Sequence, residues 1–391
     1  MTNPAFGVPE STQTVILSGD NAGMPKTADV RILGSGIVGR TLALALARQG
    51  LAVGIDPKPA AAGGPDVRAF ALNAASVALL ESLKVWHALP PDAQTPVYDM
   101  RIQGDDAGKL SFSAWQQAVP ALAWIVDAAE LEQVLETAVR FAPTISVAAP
   151  EAEAPLTVVA EGKAAASRSR FGVTFDRHPY GHAAVAARLE ADMAHAGVAR
   201  QWFRAPDVLA LLPFDRPAPE RSYGLVWSVP EAEARRLMAL PADDFEAELN
   251  AATGGAAGRL RLRGERASWP LMRARASAVS GPGWALVGDA AHVMHPLAGQ
   301  GLNVGLGDVA TLARVLAARE SWRGLGDDAL LRRYARARLW PTQAMAGAVD
   351  GLWQLFSHSA PGLRELRNQG MTLVNQMSPL KRWLVARALG A

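Results

Sequence analysis

The chain has no cysteine among its 391 residues, which excludes disulfides, thiol nucleophiles and thiolate-bound zinc or iron–sulfur centres. That absence fits a reducing, cytoplasmic setting. No apolar run reaches the roughly 18 residues of a membrane span, because Arg, Asp, Gln or Gly interrupts each one. The start carries no basic segment followed by an apolar core, so export is not expected. An excess of one charge is also missing: 39 Lys and Arg against 37 Asp and Glu leave a net +2, and the cations are spread along the chain. Aromatics make up only 6% of residues and no basic stripe runs beside them, so nucleic-acid binding is not expected. What remains, half the residues apolar and 19% charged, reads as a soluble globular protein long enough for two domains.

Residues 1–28 lack periodicity and read as an extension. The pattern then predicts a strand at Ala28–Leu33, a glycine turn, an Ala- and Leu-rich helix to about Gln49, and a strand at Leu51–Ile55. A helix is predicted over Arg68–Leu83, a hairpin over Val97–Gly104 and Lys109–Ser113, and a helix over Ala129–Phe141. Strands follow at Leu156–Ala160, Ala183–Leu189, Val208–Leu212, Ser222–Val229 and Ala285–Val287, and the chain is helical from Val309. This order predicts an α/β fold: a discontinuous Rossmann-like domain, which the motifs below make FAD-binding, an inserted antiparallel-sheet substrate domain and a helical C-terminus. The first would take residues 29–95, 115–168 and 272–391, the second 96–114 and 169–271.

Two glycine clusters carry the chemistry. Gly34-x-Gly36-x-x-Gly39 sits on a strand-to-helix turn, where exposed N–H groups and the helix dipole favour a pyrophosphate. Asp56 ends the second strand, where an acid accepts from ribose hydroxyls. The second cluster runs from Gly288-Asp289-Ala290-Ala291-His292 to His295-Pro296-Leu297-Ala298-Gly299-Gln300-Gly301-Leu302-Asn303 and ends where a long helix begins. Asp289 there suits a polyol hydroxyl, and the N–H groups suit the anionic edge of a reduced flavin. The spacing of Asp289, His292 and His295 admits a metal, but flavin contacts account for it better and no metal is expected.

His295-Pro296-Leu297-Ala298-Gly299-Gln300-Gly301-x-Asn303-x-Gly305-x-x-Asp308 resembles the signature of the UbiH-type hydroxylases of ubiquinone biosynthesis, FAD-dependent aromatic hydroxylases related to para-hydroxybenzoate hydroxylase. The likeness extends over residues 29–391, through Tyr180–Ala186, His195–Ala199, Leu211–Phe214, Leu225–Ser228 and Trp269–Leu271. It implies that Gly34, Gly36, Gly39 and Asp56 hold the ADP half of FAD, with Arg68 near the pyrophosphate. Asp289 would bind the ribityl chain, the backbone of Gly301, Leu302 and Asn303 would face the pyrimidine edge, and Pro296 would border the reacting face, with His292 a second catalytic candidate. The implied reaction uses NAD(P)H and O2 to hydroxylate a polyprenyl phenol, in contact with the inner membrane's surface and with a multi-protein biosynthetic complex. A water-soluble aromatic substrate, or a flavin-retaining non-catalytic subunit, is the alternative.

The chain departs from that family at its Asp-Gly motif, which here reads Ala160-Glu161-Gly162-Lys163-Ala164-Ala165-Ala166-Ser167-Arg168. Glu161 replaces the Asp and Ala165 a Ser, while Arg168 is kept, which bears on the nicotinamide step more than on FAD. The apolar positions Val208, Leu209, Leu211, Leu212, Leu225, Val226 and Trp227 are expected to form one wall opposite the flavin. Leu380–Arg387 makes a poor amphipathic stripe, because Arg387 falls on its apolar face.

Overall fold

The apolar run Val30–Leu33 forms a buried strand, β1, in the middle of the computed structural model, which describes residues 28–57, 66–104, 108–147, 154–294 and 300–357. Helix α1 (Ile37–Ala47) and the parallel strand β2 (Val53–Ile55) complete the expected βαβ unit. The stretch expected to be one helix from Arg68 divides instead into β3 (Ala69–Leu72) and α2 (Ala74–Ser82). Asn73 is the divider. Its side chain accepts from the Ser76 N–H at 2.9 Å and caps α2, which a helix running through it would forbid.

Next come β4 (Gln94–Val97) and the expected hairpin of β5 (Asp99–Gln103) and β6 (Lys109–Ser113), whose tip at 105–107 lies outside the described residues. Strand β7 (Ala123–Asp127) pairs with both β3 and β4, and Asp127 caps α3 (Ala128–Phe141) by accepting from the N–H groups of Ala129 and Glu130. Strands β8 (Ile145–Val147) and β9 (Leu156–Val159) return to the first sheet.

The central region is richer than its sequence pattern suggests. It holds β10 (Phe175–Ala191), β11 (Val198–Arg204), β12 (Asp207–Phe214), β13 (Ser222–Pro230), helices α4 (Glu231–Ala239) and α5 (Ala242–Thr253), and β14 (Leu260–Ala276). Neither β14 nor the two helices was expected. Strand β14 is studded with arginines and mostly solvent-facing, so it carries no clean alternation; pairing along almost the whole of β10 holds it. After β15 (Ser280–Gly281), β16 (Trp284–Leu286) and β17 (His292–Val293), the chain ends its described course in α6 (Gln300–Ala317) and α7 (Asp328–Ser357).

Two large sheets result. One runs β15-β16-β9-β1-β2-β8, parallel except at β15, and its core is shared with α1, α3 and α6. The other runs β17-β14-β10-β13-β12-β11-β5-β6 and is largely antiparallel. Helix α7 reaches from the first to the second, where Asp350 bonds both Tyr180 of β10 and Arg273 of β14. No described helix is long and apolar enough to cross a membrane. Residues 1–27 and the Leu380–Arg387 segment lie outside the described residues.

Helix α6 begins nine residues before the expected Val309, so Gly301, Asn303, Gly305 and Gly307 are helical rather than part of a preceding loop. Packing explains glycine inside this helix. A Cβ on Gly305 would sit 3.0 Å from Val38 Cγ2 and 3.3 Å from the Gly288 Cα, so the missing side chain lets α6 press against both glycine turns.

Candidate active site

A cleft of about 990 Å³ lies between the two sheets, within the usual range for a cofactor or ligand site. Its walls come from the first glycine turn (Gly34, Ser35, Gly36, with Asp56), from the 161–164 loop and Gly288–Asp289, from the start of α6 (Gly301, Leu302), and from the antiparallel sheet. Two glycine clusters far apart in sequence therefore open onto one space.

The first turn is built around close approaches. Gly34 has φ +104°, and a Cβ there would meet the Ala160 carbonyl at 2.6 Å; one on Gly39 would meet the Gly34 carbonyl at 2.0 Å. A Cβ on Gly36, by contrast, would meet nothing within 4 Å, which leaves this backbone open to the cleft. Asp56 is placed at the end of β2 by its N–H, which donates to Ile32 at 3.1 Å. Its Oδ1 is buried without a hydrogen bond, 3.6 Å from Arg31 Nη2, and the Ser35 hydroxyl is likewise buried and unmatched. An open phosphate-sized backbone turn beside an acceptor awaiting donors fits the ADP half of a dinucleotide. Arg68 also lines the cleft, held by Asp66 at 2.7 Å and Glu132 at 3.1 Å; it precedes β3 rather than opening a helix.

The second cluster is fixed from below by a buried ionic network. Asp289 sits on the 3-10 turn Gly288–Ala290 that follows β16, with its carboxylate open to the cleft. Crowding by the walls, with Asp308 adding, pushes that carboxyl up from 3.8 against the pull of His292 and Lys163. Behind it, Asp308 accepts from the Gly288 N–H at 2.9 Å, pairs with His292 Nε2 at 2.7 Å and takes Arg338 Nε at 2.5 Å. His292 is buried and is not among the residues lining the cleft. Asn303 is also buried: its Oδ1 accepts from Asn73 N–H and Ser76 Oγ, and its Nδ2 donates to Ala71, tying α6 to the junction of β3 and α2. Pro296 lies outside the described residues.

Burial works against the His292 imidazolium, but the Asp308 carboxylate and its hydrogen bond prevail and hold the pKa above 6.5. Because the folded chain binds this proton more tightly, the stabilisation is complete below about pH 6.5 and fades as pH climbs through the raised folded value. The gap in thermal midpoint between the wild type and His292→Gln should therefore shrink from pH 6 to 9. A gap that stays constant over that window would show that the pair does not titrate as argued.

The altered Asp-Gly loop is internally complete. Glu161 accepts from the Ser167 N–H at 3.1 Å and from its hydroxyl at 2.9 Å, capping the 3-10 segment Ala166–Phe171. The hydroxyl absent at Ala165 thus returns two residues later, where the longer Glu arm meets it. Arg168 is buried over the Phe175 ring at 3.7 Å and donates to the Lys163 and Ala290 carbonyls, joining this loop to the Asp289 turn.

The sheet wall differs from expectation. Leu209, Leu211 and Trp227 turn away from the cleft and pack with Leu237, Phe245 and Leu249 of α4 and α5. The cleft face of the same strands carries Ala186, Ala199, Ala210, Leu212, Gly224 and Val226, with Met100 from β5. Alternation along a strand sends neighbours to opposite faces, so the apolar run could not have formed one wall. The wall is apolar, as expected, but alanines and a glycine stand among its larger residues Met100, Leu212 and Val226. Gln201, Lys163, Glu132 and Asp308 were missed from the sequence; only Asp308 carried a signal, its place at the end of the second motif.

The FAD binding domain family matches residues 116–348. The chain is 33% identical to the ubiquinone hydroxylase UbiL of Rhodospirillum rubrum, over 98% of this chain and 93% of that one. It is also 30% identical to the 3-demethoxyubiquinol 3-hydroxylase of Escherichia coli, over 93% and 98%. The chain belongs to the FAD-dependent monooxygenases. Among solved folds, Klebsiella pneumoniae HpxO complexed with FAD and uric acid superposes with a TM-score of 0.70 at 17% identity, over 95% of this chain and 99% of that one. Membership makes FAD the cofactor, and the parallel and antiparallel sheets are the two sheets of this monooxygenase fold.

Proposed function

We propose that this monooxygenase hydroxylates the aromatic ring of a polyprenylated ubiquinone precursor. The balance is ring C–H, O2, NAD(P)H and H+ giving ring C–OH, H2O and NAD(P)+. The observation that carries the reading is the single cleft that joins the dinucleotide turn to a broad apolar wall; the relatives named above support the substrate class. Bound FAD supplies the two-electron chemistry linking nicotinamide and oxygen. In this reading Gly34, Gly36, Gly39 and Asp56 hold its ADP half, with Arg68 by the pyrophosphate, and Asp289 binds the ribityl hydroxyls. The first N–H groups of α6, at Gly301, Leu302 and Asn303, serve the pyrimidine edge, and Pro296 borders the reacting face. His292 acts through Asp308 to hold the Gly288 turn rather than through contact with substrate. The alanine-rich wall excludes water from the reacting ring.

Each buried prenyl CH2 is worth roughly 0.8 kcal/mol, so partial burial of one isoprenoid unit separates a prenylated phenol from its bare ring by about tenfold or more. The holoenzyme should oxidise NADPH and release hydroxylated product with a kcat/KM at least that much higher for a short-chain prenyl phenol than for phenol. Equal values with equal hydroxylation yields would move the assignment to a water-soluble aromatic.

A further inference from the structure

The antiparallel sheet gives the cleft one polar side chain besides the Trp269 indole among the described residues, Gln201 of β11. It is only 8% exposed. In register it lies in a row with Ala210, Val226 and Ala186, each on the next strand of the sheet and each lining the cleft. No described residue hydrogen-bonds its carboxamide, whereas the other large buried polar side chains near the cleft, Arg168, His292 and Asn303, each have named partners. The carboxamide is not one of the sealed polar groups left without a partner; it opens onto the cleft, where a ligand can reach it, and nothing in the packing of the sheet requires an amide at this position. The charged groups of the cleft, Asp56, Arg68, Glu132, Glu161, Lys163 and Asp289, all lie outside the strands of the antiparallel sheet, so none stands on the wall that would read a ring.

Resting on the hydroxylase reading above, we propose that Gln201 is the polar recognition point of the substrate wall: its carboxamide pairs with an oxygen substituent of the aromatic ring and so fixes which ring carbon faces the flavin. A carboxamide offers both a donor and an acceptor, which suits a phenol hydroxyl in either hydrogen-bonding role and does not require the phenol to ionise. The apolar neighbours contribute affinity for any flat ring or prenyl chain. The amide alone distinguishes one edge of that ring from another, because an apolar wall is indifferent to rotation in its plane.

The test uses the FAD-loaded enzyme, with ortho-prenylphenol and prenylbenzene as probes and the flavin absorbance change as the binding signal. Wild type should bind the phenol more tightly than the hydrocarbon. Gln201→Met, close in length and apolar, should shrink that preference about tenfold by weakening phenol binding alone, the loss expected for one hydrogen bond in a dry site. FAD content and thermal midpoint should hold or rise, since the amide has no partner in the protein. In turnover the variant should divert NADPH oxidation toward H2O2 and scatter the site of hydroxylation. Gln201→Leu repeats the measurement should the methionine sulfur refill the space. If either folded variant keeps the full preference for the phenol and a single product, or if wild type binds the two probes equally, the assignment of Gln201 falls while the hydroxylase reading stands. If wild type binds neither probe, the substrate reading itself falls and takes this one with it.

Discussion

Alanine at position 308 is expected to destabilise the protein by about 3–5 kcal/mol, the range for removing one partner of a buried ion pair. Asp308 has no solvent exposure, and its two oxygens serve the Gly288 N–H, the His292 ring and the Arg338 guanidinium at once. Truncation leaves a cation on α7 and an imidazole in β17 without their counter-charge, and frees the turn that aims Asp289. The fold and the flavin should therefore weaken together. Urea unfolding would show a lowered midpoint at unchanged slope, and FAD release should precede global unfolding. Asp308→Asn keeps an acceptor for Gly288 but not the charge, and should fall between. An alanine variant within about 1 kcal/mol of wild type would mean that α6 and α7 relax around the gap, and that the network does not hold the turn.

The paired variants Gly36→Ala and Gly39→Ala should separate flavin binding from folding. At Gly36 a methyl meets no protein atom within 4 Å, so the apoprotein should keep its stability, whereas the methyl occupies the backbone approach a pyrophosphate requires. At Gly39 the methyl would lie 2.0 Å from the Gly34 carbonyl, and α1 must lift off β1 to admit it. Both variants should lose FAD affinity by at least about tenfold, and only Gly39→Ala should also unfold earlier. Apoprotein melting curves beside FAD titrations decide the matter. Identical behaviour of the two variants would contradict this division of labour.

The βαβ unit was legible because its signals are local: the three glycines, the apolar run before them and Asp56 after β2 are all within 30 residues. Helices α4 and α5 went unread although their signals are local too, with Pro230 and Pro241 at their starts, acidic first turns at Glu231 and Asp243, and a left-handed stop at Gly254. Strand β14 was not legible. It owes its existence to β10, some eighty residues earlier, and its many exposed arginines advertise solvent rather than a sheet. The early start of α6 was hidden for the opposite reason, since glycine disfavours helix by about 1 kcal/mol per residue and only the approach of Val38 and Gly288 makes it the right choice. Within the site, the residues that build the dinucleotide turn could be named from spacing, whereas Gln201 could not. Its face of the sheet depends on register, and a shift of one residue would exchange it with Trp202, which packs under α4 and α5.

The two faces of the antiparallel sheet answer to different demands. Leucine and tryptophan side chains on the outer face lock the strands to α4 and α5, while the inner face sets alanines and a glycine among Met100, Leu212, Val226 and the Gln201 amide. Room for a ligand is therefore created by omission, and each alanine marks a place where a few carbon atoms would reshape that room from within. Such a change leaves the outer packing untouched, because adjacent residues of one strand face opposite sides of the sheet. Substrate range can drift in this scaffold without putting the fold at risk, and a single sheet can serve a lineage of enzymes that differ in the rings they accept.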